Sequence, residues 1–169
     1  MTRARYALAL GSNRPLSASL PPRALAAAAA QALGQPPLRL IAISPLMTSR
    51  PLGPSQRLYI NAAAIVEADL PPPALLAHLK ALERRFGRRG GRRWGARTLD
   101  LDIILWSGGA WASRTLQVPH RAFRERRFVL APLAQIAPAW RDPATGLTIR
   151  HILARTSRSK PVDRTGKRL

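Results

Sequence analysis

Cysteine is absent from this chain of 169 residues, which excludes disulfides, thiolate nucleophiles and Cys-ligated zinc. Acidic residues are scarce, with 8 Asp and Glu against 28 Lys and Arg and a formal net charge of +20. With so few carboxylates, two placed together inside an apolar stretch require an explanation. Long hydrophobic runs are also missing. The Ala-rich run from Ala24 to Leu33 is too short and too weakly hydrophobic to span a membrane. Tyr6 to Leu10, after Arg3 and Arg5, is too short for the apolar region of a signal peptide. A soluble, cytoplasmic protein with no membrane partner is therefore expected. His78, His120 and His151 are too scattered to suggest a metal cluster. No G-x-x-x-x-G-K-S/T loop, G-x-S-x-G elbow or protein-kinase set occurs. If the chain uses ATP, metals and arginines must do the work of a Gly-rich cradle.

What is present centres on Arg92 to Trp106, RRWGARTLDLDIILW. From Thr98 onward the residues are β-branched or bulky and apolar except for Asp100 and Asp102, so the run reads as a strand. Alternation puts Leu99, Leu101, Ile103 and Leu105 on one face and Asp100, Asp102, Ile104 and Trp106 on the other. Two residues of strand rise separate the carboxylates by roughly 6.5 Å, a gap that inward-leaning side chains could close around two Mg²⁺ ions about 3.5 to 4 Å apart. An isolated D-x-D is more often a solvated strand face. Here Arg92, Arg93 and Arg97 precede it, with Trp94-Gly95 between them, supplying planar phosphate clamps and a large ring on a bendable loop. The combination points to phosphate chemistry.

Taken in order, the chain opens with a strand from Arg5 to Leu10, ended by the turn Gly11-Ser12-Asn13. Ser17 or Ser19 is the expected cap of a helix whose body is Ala24 to Leu33. Leu38 to Met47 reads as a strand bent or placed at an edge by Pro45, and Thr48 to Arg57 as a Pro/Gly loop. Leu58 to Ala68 is a third strand, in which Tyr59 and Asn61 share a face. Such a ring and amide suit a heteroaromatic base analogue, although a buried Tyr with a hydrogen-bonded Asn explains the pair nearly as well. Pro71-Pro72-Pro73 opens a helix with an apolar stripe through Leu75, Leu76, Leu79, Leu82 and Phe86, ending at Gly87. Lys80 and Glu83 lie off the centre of the stripe, within reach of the loop that follows, although a solvated helical face is the default.

Arg88 to Arg97 is a basic, Gly-containing loop that reads as a lid. After Ser107-Gly108-Gly109, Trp111 to Val118 is the expected hairpin partner of the aspartate strand. Phe128 to Ile136 is expected to be helical despite Pro132, Asp142 to Gly146 a turn, and Leu147 to Leu153 a short last element. Strand, helix, strand, strand, helix, strand is the order of a ferredoxin-like fold. The expected architecture is thus α+β: a βαββαβ core with additional strands and helices, and an antiparallel sheet flanked by helices. One domain is expected over 1–155, followed by a basic, disordered tail over 156–169.

Arg93 to Ile104 strongly resembles the signature of the 6-hydroxymethyl-7,8-dihydropterin pyrophosphokinase family. Further matches fall in the family's order at Leu10-Gly11-Ser12-Asn13, Pro51-Leu52-Gly53-Pro54, Tyr59-Ile60-Asn61-Ala62, Leu82-Glu83 with Gly87-Arg88, and Val118-Pro119-His120 through Arg126, Phe128 and Pro132 to Pro138. The resemblance implies Mg-dependent transfer of pyrophosphate from ATP, the co-substrate, to the dihydropterin in folate biosynthesis. It implies two Mg²⁺ ions on Asp100 and Asp102, with Arg88 and Arg97 as further catalytic residues. It also implies a pterin site at Ser49, Leu52, Tyr59, Asn61, Trp94 and Phe128. ATP contacts are implied at Lys80, Glu83, Trp94, Arg97, Ile103, Gln117, His120, Arg121 and Arg126. Met47, where a tyrosine is common, and Ser49, where threonine is usual, depart from the family pattern.

The charge alone favours a polyanionic partner such as nucleic acid. It is clustered, however, with seven arginines between Arg84 and Arg97 and four between Arg121 and Arg127. Clusters beside a carboxylate pair fit a nucleotide triphosphate at least as well as a duplex. The expectation is a monomer that binds ATP and the pterin, and no specific nucleic acid.

Overall fold

The computed structural model describes residues 3–50, 57–87 and 98–158. Leu52, Arg88, Trp94, Arg97 and the expected lid lie outside the described residues, as does 159–169. Five strands form one sheet: β1 (Ala4–Ser12), β2 (Leu38–Ile43), β3 (Met47–Ser49), β4 (Tyr59–Ala68) and β5 (Asp100–Trp106), in the order β2-β4-β1-β5 with β3 extending β4's outer side. Every pairing is antiparallel. Helices α1 (Pro22–Ala32) and α2 (Pro72–Arg85) complete the βαββαβ order, so the ferredoxin-like α+β expectation holds.

The two faces of the sheet bury different helices. Tyr6, Leu8 and Leu10 of β1, Ala62, Ala64 and Val66 of β4, and Leu99, Leu101 and Ile103 pack with Leu75, Leu79 and Leu82 of α2 and Leu33 beyond α1. The opposite face, with Ala7, Ala63 and Ile65, packs under α3 (Arg127–Ile136) and α4 (Ile149–Arg158) through Val129, Leu130, Leu133, Ile149 and Ile152. Alternation along each strand generates these two apolar layers. No helix among the described residues is long and apolar enough to cross a membrane.

Several local expectations change. β1 runs on through Gly11 and Ser12, which pair with Asn61 and Ile60, so the supposed turn is strand. Neither Ser17 nor Ser19 caps α1: its N-cap is Pro21, without a side-chain bond, and the two hydroxyls bond each other. Pro45 divides the expected second strand into β2 and β3, because proline lacks the N–H a ladder needs; Thr48 and Ser49 thereby leave the loop for β3. Trp111 to Val118 pairs with itself, β6 (Trp111–Ala112) against β7 (Gln117–Val118), in place of pairing with the aspartate strand. The last element among the described residues is the helix α4, which continues to Arg158 past the 155/156 boundary expected from composition.

A β-bulge at Ile104 interrupts the alternation of β5. Ile103 pairs with Leu8, but Leu105 pairs with the adjacent Ala7, leaving Ile104 as the extra residue. Leu105 therefore joins Ile104 on the α3/α4 face. Trp106 instead crosses to the α1/α2 face, stacking on Tyr6 at 6.3 Å. Strict alternation had assigned both residues to the wrong sides.

Candidate active site

The α3/α4 face of the sheet, at the end where β1 finishes and β5 begins, carries the polar residues singled out above. Ser49, Tyr59 and Asn61 share this face on β3 and β4, since Ser49 pairs with Tyr59 and the inward neighbours Ala63 and Ile65 belong to the α3/α4 layer. Asn61 is buried, and its amide donates to Ser49 Oγ at 2.8 Å. Gly11 pairs with Asn61 on one side and with Asp100 on the other. Asn61, Gly11 and Asp100 thus form one row across three strands, and the middle member has no side chain. The two polar groups stand roughly 10 Å apart, two strand spacings, with open floor between them. Gly11 does not adopt a positive φ, and a Cβ there would meet Asn61 Oδ1 at an ordinary 3.8 Å. The backbone does not demand glycine at this point. The next row, Ala63, Ala9 and Asp102, is equally low beside its carboxylate.

Two supports fix β5, an edge strand whose outward backbone groups would otherwise lack partners. Glu83 of α2, wholly buried, accepts the Leu101 N–H at 2.7 Å, and Lys80 pairs with the same Oε1 at 2.7 Å while donating to the Leu101 carbonyl at 3.4 Å. Glu83 does not occupy a solvated face. The Ile104 carbonyl at the bulge accepts the His120 N–H at 3.0 Å, which attaches the following turn to the strand. That turn contains one 3₁₀ segment, Phe123–Glu125, and delivers Arg126 as the N-cap of α3. The Arg126 guanidinium lies 5.9 Å from the centroid of the Phe128 ring.

Electrostatics follow from this enclosure. Burial pushes the Asp102 carboxyl up, and the charge of Asp100 adds to the shift; His120 and Lys80 act the other way. Burial pushes His120 down, with Asp102 opposing and Arg126 and Arg121 reinforcing. Two crowded carboxylates in a partly desolvated site are a donor set for a divalent cation, which removes the repulsion that raises Asp102. Among the described residues no group of three or more His, Cys, Asp or Glu could hold a metal ion. The pair fits Mg²⁺, which is commonly held by one or two carboxylates together with substrate phosphates and water.

The model of one protein family, 7,8-dihydro-6-hydroxymethylpterin-pyrophosphokinase, matches residues 7–138. The chain belongs to this family. It is 43% identical over 141 residues to a 2-amino-4-hydroxy-6-hydroxymethyldihydropteridine pyrophosphokinase of Pseudomonas aeruginosa, covering 82% of this chain and 84% of that one. The Methylorubrum extorquens protein of the same name is 38% identical over 156 residues, with 92% and 94% covered. A Synechocystis relative is 45% identical over 105 residues, but the match spans only 54% of its length and 62% of this chain. Among solved structures, the HPPK-DHPS of Plasmodium falciparum with pteroate shares the fold at a TM-score of 0.69 and 13% identity, covering 91% of this chain and 42% of that one.

Within the pyrophosphokinase framework, the structure gathers Ser49, Tyr59, Asn61, Asp100 and Asp102 on one sheet face, with His120 beside Asp102 and Arg126 beside Phe128. Gln117 in β7 and Arg121 at the start of the turn are exposed. Ile103 faces the other way, 2% exposed in the α1/α2 layer; a nucleotide could reach only its backbone. Gly11 read as part of a turn, and its place between Asn61 and Asp100 depends on strand register. The sequence marked Glu83 through its position on α2 and the Leu82-Glu83 match, but not as the anchor of β5.

Proposed function

We propose that this chain transfers a pyrophosphoryl group from ATP to the hydroxymethyl oxygen of 6-hydroxymethyl-7,8-dihydropterin, as a cytoplasmic step of folate biosynthesis. The observation that carries this reading is the row Asn61, Gly11 and Asp100: an amide to read a heterocycle, a gap to lay it in, and a carboxylate where phosphates would lie. Tyr59 from β4 and Phe128 from α3 would enclose the ring. Ser49, already bonded to Asn61, fixes the amide's orientation.

Asp100 and Asp102 would hold Mg²⁺, two ions on the family resemblance, which when bound neutralises charge on the phosphates. His120, Arg121 and Arg126 would contact the triphosphate from the turn before α3, and Lys80 would approach from α2. Arg88, Trp94 and Arg97 would close over it, and Leu52 would complete the pterin pocket. In the transfer, the substrate hydroxyl oxygen bonds to the β-phosphorus as the bond to the α,β-bridging oxygen breaks. AMP leaves and the hydroxyl proton passes to solvent. Protein groups have little covalent work, so alignment and charge stabilisation supply the acceleration. The deciding experiment measures AMP release from ATP with and without the hydroxymethyl-dihydropterin. Pterin-dependent AMP with matching pterin pyrophosphate is expected, and its absence refutes the reading.

A further inference from the structure

Arg124 lies within the turn that runs from His120 to Arg126, yet its partner is in the segment before α4. Its Nε and Nη2 donate to the two carboxylate oxygens of Asp142 at 2.7 and 2.8 Å, a bidentate pair. Asp142 is fully buried. It also accepts the Thr145 hydroxyl at 2.6 Å and the Ala144 N–H at 3.2 Å, while its own N–H bonds the Leu147 carbonyl. The carboxylate is therefore held by four hydrogen bonds from three residues inside the turn before α4. On the other side, Arg124 stacks over Phe123, whose ring is buried in the α3/α4 layer. The N–H of Phe123 bonds the His120 carbonyl and its own carbonyl takes the Arg126 N–H.

We propose that the Arg124–Asp142 pair is a positioning device for the nucleotide side of the site, holding the turn so that His120 and Arg126 present to the triphosphate. This rests on the functional reading above. Neither residue of the pair touches substrate in it. The turn is tied to β5 through the His120 N–H and the Ile104 carbonyl, and the four arginines from Arg121 to Arg127 repel one another. A planar, doubly bonded guanidinium anchored in the C-terminal layer supplies the second fixed point that such a turn needs. Ser49, Tyr59 and Asn61, on strands paired at the far side of β1, do not depend on it, and Phe128 is placed by the packing of α3 against β4.

Arg124→Ala and Asp142→Asn are each expected to raise the KM for MgATP about tenfold while leaving the KM for the pterin within about twofold, because binding rather than chemistry is disturbed. Arg124→Lys, which keeps the charge and one bond, should restore most of the loss. Should Arg124→Ala not fold, Arg124→Gln carries the same comparison, with circular dichroism and thermal melting establishing that each variant is folded at the assay temperature. Folded variants that melt earlier but keep the wild-type KM for MgATP would reduce the pair to a structural tie and overturn the proposal. An equal rise in both KM values would also overturn it. Arg126→Ala separates the two levels: if it too leaves the KM for MgATP unchanged, the assignment of the turn to the nucleotide is itself wrong.

Discussion

Glu83 accepts the Leu101 N–H at 2.7 Å from a side chain without solvent exposure. The residue between the two aspartates is thus held by a buried carboxylate on another element. Removing that acceptor leaves a buried N–H unsatisfied, so Glu83→Ala is expected to cost about 1–3 kcal/mol of stability. Glu83→Gln, which retains a carbonyl oxygen, should cost less. Urea unfolding of both variants measures the difference, and equal losses would show that the Leu101 bond contributes nothing specific.

Asp100→Asn and Asp102→Asn are expected to abolish turnover in folded proteins. Neither aspartate belongs to the two apolar layers, and removing one charge relieves the repulsion that adds to burial in raising Asp102. Metal-free melting temperatures should therefore stay level or rise. Mg²⁺ should raise the melting temperature of the unsubstituted protein, since a ligand of the folded state stabilises it, and should fail to do so in the Asp102→Asn variant.

Gly11 offers a case in which stability and binding move in opposite directions. The position is extended strand with room for a Cβ, so Gly11→Ala should stabilise by roughly 0.5–1 kcal/mol. The added methyl group lies on the open floor between Asn61 and Asp100, and pterin affinity should fall. Gly11→Leu should abolish pterin binding, as read by calorimetry. Undiminished binding in Gly11→Leu would move the pterin elsewhere.

Asp142 governs one part of the acid response. Burial pushes its carboxyl up, but hydrogen bonds from Arg124, Thr145 and the Ala144 N–H outweigh burial and hold it below the usual value. A depressed folded-state value means the stabilisation is fully present above the unfolded carboxylate range, near about pH 4. It is lost as pH falls through the folded value. The melting-temperature gap between the unsubstituted protein and Asp142→Asn should be constant from neutral pH to about 5 and close below about pH 4. A gap that widens in acid would reverse the assigned sign.

The elements legible in the sequence were those set by local pattern. The apolar stripe of α2, the Tyr59/Asn61 face and the side shared by Asp100 and Asp102 all follow from periods of 3.6 or 2. What escaped was set by partners distant in the chain. The bulge at Ile104 exists because β5 must match β1 on one side of Leu8 and again on the other, and nothing in the run Leu-Asp-Ile-Ile-Leu-Trp marks the extra residue. Trp111 to Val118 was apolar enough to be mistaken for a partner of β5, although β6 pairs with β7. Glu83 looked solvated because helical spacing says nothing about a strand edge waiting for an acceptor. Arg124 looked like one more member of a basic cluster because Asp142 lies 18 residues away.

The division of the sheet into two apolar layers bears on the order in which the protein can be made. The strands and helices of the βαββαβ core are complete once Trp106 has been synthesised, and the layer under α1 and α2 can then close. Ala7, Ala63, Ile65, Ile104 and Leu105 find their cover only in α3 and α4, which end at Arg158. A nascent chain therefore carries a finished sheet with one greasy side open to the ribosome's surroundings while some fifty further residues emerge, roughly 3–10 s of translation. The residues that shape the floor of the candidate site are in place during that interval, and the helices that cover the sheet arrive last.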